Sequence, residues 1–205
     1  MRRLRRFLPS DRALRHHSGA EEFPPMCSKS ARATMDPFDF SERHSILIRA
    51  RPGTILNSVR CYHLGDDPLL RPAFYLRGVP ARLLHAPSPP PLELQDFTLL
   101  SQTNRSLVYG LKGAFWRTDY GLRRFDTPME FLGDRDASAA TLILSFMTVP
   151  ATRERTRLVT QTHVLCPTSH VRRCFLPYWL VIRPVSGLLR RRMLSQIKAR
   201  CERSA

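Results

Sequence analysis

The chain has 205 residues, 42% of them hydrophobic and 24% charged, with 33 lysines and arginines against 17 acidic residues. That apolar share suffices for a packed core and argues against wholesale disorder, and no run approaches the ~18–20 apolar residues of a membrane-spanning helix. The net charge of +16 is the outlying feature and invites an anionic partner.

The charge sits at the two ends. Residues 1–34 carry eight basic and three acidic residues, and 171–203 carry nine basic and one acidic. Only Lys29, Lys112 and Lys198 are lysines, and the arginines are scattered through nearly every segment, as a compositional bias would leave them. The five cysteines, Cys27, Cys61, Cys166, Cys174 and Cys201, are widely spaced with no C-x-x-C pair. A chain long enough to build a core needs no disulfide framework. The basic N-terminus has no apolar stretch behind it, unlike a secretory signal. A cytoplasmic protein is expected.

In chain order, residues 1–35 read as a disordered basic tail, without apolar period and containing His16-His17 and Pro24-Pro25. Met35 is a candidate translation start. Residues 36–205 form one expected domain. Ser41 to Arg49 is a first strand, and Pro52 then suits a first helical turn, with Ile55, Val59 and Tyr62 on one side and a stop at Gly65. Asp66-Asp67-Pro68 starts a second helix carrying Leu70 and Phe74 up to Gly78, followed by a short amphipathic piece from Pro80 to Leu84 and a proline-rich loop over 86–91. Strands are expected at Phe97–Ser101, Ser106–Trp116 (bent or bulged at Gly110 and Gly113), Arg124–Phe131, Ala140–Val149 and Arg157–Leu165. After Pro167 the period becomes helical. Thr168 or Ser169 is the cap, Val171, Phe175, Tyr178 and Ile182 form one face, and Leu189, Met193, Ile197 and Cys201 continue it beyond Pro184. The expectation is a long kinked helix or two helices in series. The order describes an α+β fold in which a curved antiparallel sheet wraps around a long C-terminal helix.

Three segments carry a resemblance: Glu42–Pro52, Thr156–Val164 with its alternating threonines, and Phe175–Arg190 with Tyr178-Trp179 and the Arg-Pro-x-Ser-Gly break. Together with the layout they resemble the START-like superfamily of polyketide cyclases, dehydrases and lipid-transport proteins, over roughly residues 38–203, and in particular small bacterial members without an assigned role. The resemblance implies a helix-grip fold with a cavity between sheet and last helix, holding a small hydrophobic ligand such as a lipid or polyketide. It implies no shared catalytic residue and no cofactor.

The residues expected to line that cavity are Tyr109, Leu111, Phe131, Phe146, His163, Tyr178, Trp179 and Ile182. Ordinary core packing is the competing reading for the aromatic ones, and Tyr178 and Trp179, being adjacent, cannot both face the sheet squarely. An enzyme of the cyclase or dehydratase kind would use Tyr109, Glu130 or His163 as acid or base, provided strand parity turns them inward. Tyr178 and Arg183 belong to the same polar set. His163, Cys166, His170 and Cys174 offer four zinc-type ligands, but at a spacing that matches no standard finger, and burial of the thiols explains them without a metal. Arg190, Arg191 and Arg192 are expected to meet phosphate groups, in a transient contact with an anionic membrane rather than nucleic acid, for which no motif or stacking platform is present.

Overall fold

A computed structural model describes residues 38–62, 94–117 and 119–203, all within one compact unit, Phe38–Ala205. The expected second helix, the piece at Pro80–Leu84, the proline-rich loop and the N-terminal tail lie outside the described residues.

Five strands form one antiparallel sheet in the order β1-β5-β4-β3-β2: β1 Phe40–Ile48, β2 Thr98–Gln102, β3 Ser106–Gly113, β4 Ala140–Pro150 and β5 Thr156–Leu165. Among the described residues the helices are α1, Pro52–Arg60, α2, Pro128–Gly133, and α3, Ser169–Arg203, with a 3-10 turn at Leu94–Asp96. The α+β class and the long helix packed on an antiparallel sheet are as expected.

Register decides which side chains meet α3. His44 pairs with Thr160 and Glu42 with Thr162, while Thr160 pairs in turn with Phe146 and Thr162 with Leu144. With a side-chain period of two, one face therefore carries Phe40, Glu42, His44, Ile46 and Ile48 of β1, Leu158 to Val164 of β5 at alternate positions, and Leu107, Tyr109 and Leu111 of β3. Two apolar clusters form on that face. One joins Ile48, Leu107, Tyr109, Phe146 and Leu158 to Ile55 and Val59 of α1 and to Met193, Leu194, Ile197 and Cys201 of α3. The other joins Leu111, Phe115 and Val164 to Val171, Phe175, Trp179, Ile182 and Val185 of α3. Each fully buried large side chain contributes about 1.5–3 kcal/mol.

One expected strand is corrected. Arg124–Phe131 is not a strand: Arg123 makes an isolated bridge to Lys112, and Pro128–Gly133 is helix α2. Thr127 caps it, its Oγ1 accepting from Glu130 N at 3.2 Å, while Glu130 Oε2 accepts from Asp126 N at 3.3 Å. The Thr127 cap, with Glu130 reaching back to the residue before it and proline at the first helical position, wins over the strand propensity of the phenylalanines. Of the two alternatives for the C-terminus, one long helix is found rather than two in series: α3 runs for 35 residues through Pro177 and Pro184. Its apolar contacts on both sides of Pro184 outweigh the lost backbone bond. Thr168 caps it, Oγ1 accepting from Val171 N at 3.2 Å.

Irregularity in the β2–β3 pair falls on β2, between Leu99 and Ser101, rather than at a β3 glycine. Gly110 has a different job. A Cβ there would lie 2.5 Å from the Phe131 ring, so the glycine lets α2 lie against the sheet's far face.

Candidate functional site

Between the two apolar clusters, the interface of sheet and α3 turns polar. Glu42 and His44 stand two apart on β1 and so share the helix face with Ile46 and Ile48. Thr160 and Thr162 lie opposite them on β5, buried. Across from this band α3 presents Gly187 and Arg190. His44 Nε2 lies 2.7 Å from Glu42 Oε1, with the side chains only 15% and 10% exposed. A carboxylate only accepts, so Nε2–H of His44 donates. Arg190 Nη1 donates to Thr160 Oγ1 at 2.8 Å.

Burial draws the Arg190 pKa down to about 10, opposed by the negative charge of Glu42. The guanidinium stays charged at neutral pH, and a cation held away from water needs such a partner. Glu42 Oε2 is also buried and accepts no hydrogen bond among the described residues. Gly187 is what lets the helix come this close. A Cβ at that position would sit 3.0 Å from Glu42 Oε1 and 3.7 Å from His44 Cε1.

Beside the band opens a cleft of about 680 Å³ between β1 and α3, lined by Ser41, Glu42, Arg43, His44, Arg183, Pro184, Gly187, Leu188 and Arg191. Its size suits a small molecule. Three arginines against one carboxylate make its wall net positive, with Pro184 and Leu188 supplying apolar surface.

The residues expected to line a cavity fall into three groups. Leu111, Trp179 and Ile182 are buried in the second apolar cluster, with Tyr178 packed against it. Tyr109 and Phe146 belong to the first, their rings edge-to-face at 6.2 Å, and burial raises the Tyr109 pKa. Phe131 and His163 lie on the far face. Phe131 packs on Phe125 beneath Lys112, whose Nζ is 4.9 Å from its ring centre, and His163 stacks on Phe38 at 4.4 Å. His163 is odd-numbered on β5, where Thr160 and Thr162 face the helix, so parity turns it away. Glu130 is exposed and occupied in capping α2. Tyr109, Glu130 and His163 are therefore not gathered at one place. None of the eight expected cavity residues lines the cleft.

The zinc-type set is not gathered either. His170 Nε2 and Cys174 Sγ lie 3.7 Å apart, Cys166 is engaged through its backbone N–H with Asp39 Oδ2 at 2.7 Å, and no group of three or more His, Cys, Asp or Glu side chains converges among the described residues. The described cysteines are free thiols. Of the three consecutive arginines, Arg190 points inward to Thr160, whereas Arg191 and Arg192 are exposed.

The signals that find Glu42, His44, Thr160, Thr162 and Gly187 lie in alternation. Glu42-x-His44 precedes Ile46-x-Ile48 at the same parity, and Thr160-x-Thr162 sits between Leu158 and Val164. A polar pair in an apolar series on two paired strands marks a polar band, and a glycine within a helix marks close approach.

Comparison with family models, curated proteins and solved structures finds no match to this chain. No helix among the described residues is long and apolar enough to cross a membrane.

Proposed function

We propose that this chain is a helix-grip binding protein of the START-like kind, acting in the cytoplasm on a small hydrophobic ligand, lipid- or polyketide-like, whose polar end sits at the Glu42–His44–Arg190 group. The observation that supports this reading is the polar band interrupting an otherwise apolar sheet–helix interface beside an open, arginine-rich cleft. A polar group holding a carboxylate and a guanidinium inside a small protein stabilises weakly, and a satisfied apolar packing serves as well. A ligand's anionic or hydroxyl end uses such groups, and Pro184 and Leu188 offer its apolar part a surface.

The test is native mass spectrometry of gently purified protein, followed by uptake of a fluorescent fatty-acid probe. A bound mass of lipid or polyketide size is expected, and Gly187→Leu, which puts a side chain on the cleft wall beside Glu42 and His44, should cut probe uptake at least about tenfold. Protein that purifies empty and takes up no probe, or a folded Gly187→Leu variant that binds as well as wild type, overturns the reading.

One observation favours a second reading. The Glu42–His44 pair is a carboxylate-oriented imidazole at a cleft wall, the arrangement a general base needs. A dehydratase or cyclase would then work through His44 rather than through Tyr109, Glu130 or His163. Turnover of a candidate ligand, lost in His44→Gln while binding persists, would select this reading over binding alone.

A further inference from the structure

The exposed face of α3 is apolar, and at its C-terminal end it borders the cleft beside β1. Leu176, Leu180, Val181 and Leu188 are 45–63% exposed, and exposed Pro177 and Pro184 lie among them. With the prolines they form two adjacent rows at steps of three and four, Leu176-Leu180-Pro184 and Pro177-Val181-Pro184-Leu188, and so one broad face, opposite Val171, Phe175, Ile182 and Val185, which face the sheet. Arg173 and Arg191 lie on the same line at its two ends, about five turns or roughly 27 Å apart, and Arg183 flanks it; all three are exposed. From Ser169 to Arg203 the only acidic residue is Glu202, in the last turn.

We propose that this stripe docks the protein on anionic lipid bilayers, with the three leucines and Val181 in the interface and Arg173, Arg183 and Arg191 on headgroup phosphates. An apolar strip bounded by arginines is the pattern of a helix lying in the plane of a membrane surface, the arginine stems covering apolar area while their heads stay wet. Charge complementarity selects this occupant. A second copy of the chain would set Arg173, Arg183 and Arg191 against one another, and a nucleic acid would bury phosphates over leucines. The two prolines agree with a shallow position. Lacking N–H groups, they leave the carbonyls of Arg173 and Leu180 without helical donors, which water and headgroups supply and hydrocarbon does not. The proposal does not require the ligand-binding reading, but the two share an edge: Arg183, Pro184, Leu188 and Arg191 also line the cleft, so docking would bring its mouth to the bilayer, whereas Arg173, Leu176, Leu180 and Val181 lie outside it.

Full-length protein is mixed with vesicles of phosphatidylcholine alone or of phosphatidylcholine with phosphatidylserine, and the vesicles are pelleted. Binding is expected only with phosphatidylserine, weakening as salt rises. The double variant Leu176→Ser/Leu180→Ser should weaken it at least about tenfold and Arg173→Glu at least about fivefold, with probe uptake in the cleft unchanged. These side chains are exposed, so thermal melts should match wild type, and Val181→Ser provides an independent variant. Three results overturn the proposal: no binding to phosphatidylserine vesicles at low salt; binding that the serine variants leave intact, which assigns it to charge alone; or a wild-type dimer that these variants dissolve, which makes the stripe a self-interface.

Discussion

Arg190 shows what a single residue does in this fold. From its place in an Arg-Arg-Arg run it reads as surface charge, yet it reaches across to Thr160 and lies near enough to Glu42 for each to compensate the other's burial. Sequence adjacency cannot separate it from Arg191 and Arg192, because consecutive helical residues point about 100° apart. Cys166 gives a residue-scale prediction. Burial, and then the charge of Asp39, raises its pKa from 9.0 to about 12, against a smaller lowering by Arg172. At pH 8–9 iodoacetamide should modify exposed Cys61 well before Cys166, as peptide mass mapping would show. The same shift makes stability fall between pH 9 and about 12, because the unfolded thiol loses its proton there and the folded one does not. Urea melts of Cys166→Ala across that window should show a correspondingly flatter alkaline decline than wild type.

At the scale of elements, α2 is six residues long and depends on its ends. Thr127→Ala removes the acceptor for Glu130 N and should cost about 1 kcal/mol in urea unfolding, with Thr127→Ser retaining most of the stability. The helix was present in the sequence as Asp126-Thr-Pro-Met-Glu130, a capping signature that a scan for β-propensity passes over. The five strands that form the sheet were all legible to within about three residues, because alternation and turn residues are local properties. The continuity of α3 was not. Pro184 is a break signal by local rules, and only the apolar contacts on both sides of it, Ile182 before it and Val185 and Met193 after it, carry the helix through.

For the whole molecule, one helix ties two apolar clusters to one sheet, so the clusters should unfold together. Phe175→Ala in one and Ile197→Ala in the other should each cost about 2–5 kcal/mol and shift a single transition seen identically by tryptophan fluorescence and far-ultraviolet circular dichroism. If Ile197→Ala splits the transition, the clusters are separate units. The arrangement also explains the distribution of charge. Arginines concentrate on α3, where Arg190 is taken inward to Thr160 while Arg173, Arg183 and Arg191 border an exposed apolar stripe, giving a face that is basic and greasy at once.

The sequence by itself determined the α+β class, the antiparallel strands, the C-terminal helix and most of the buried apolar residues, because period, propensity and capping act over a few residues. Tertiary structure decided the site. Whether His163 or His44 faces the helix is a matter of strand parity, and parity follows from long-range pairing such as His44 with Thr160, 116 positions away. The cleft exists because Gly187 happens to stand over Glu42 and His44, a juxtaposition of segments far apart in the chain that no local rule contains.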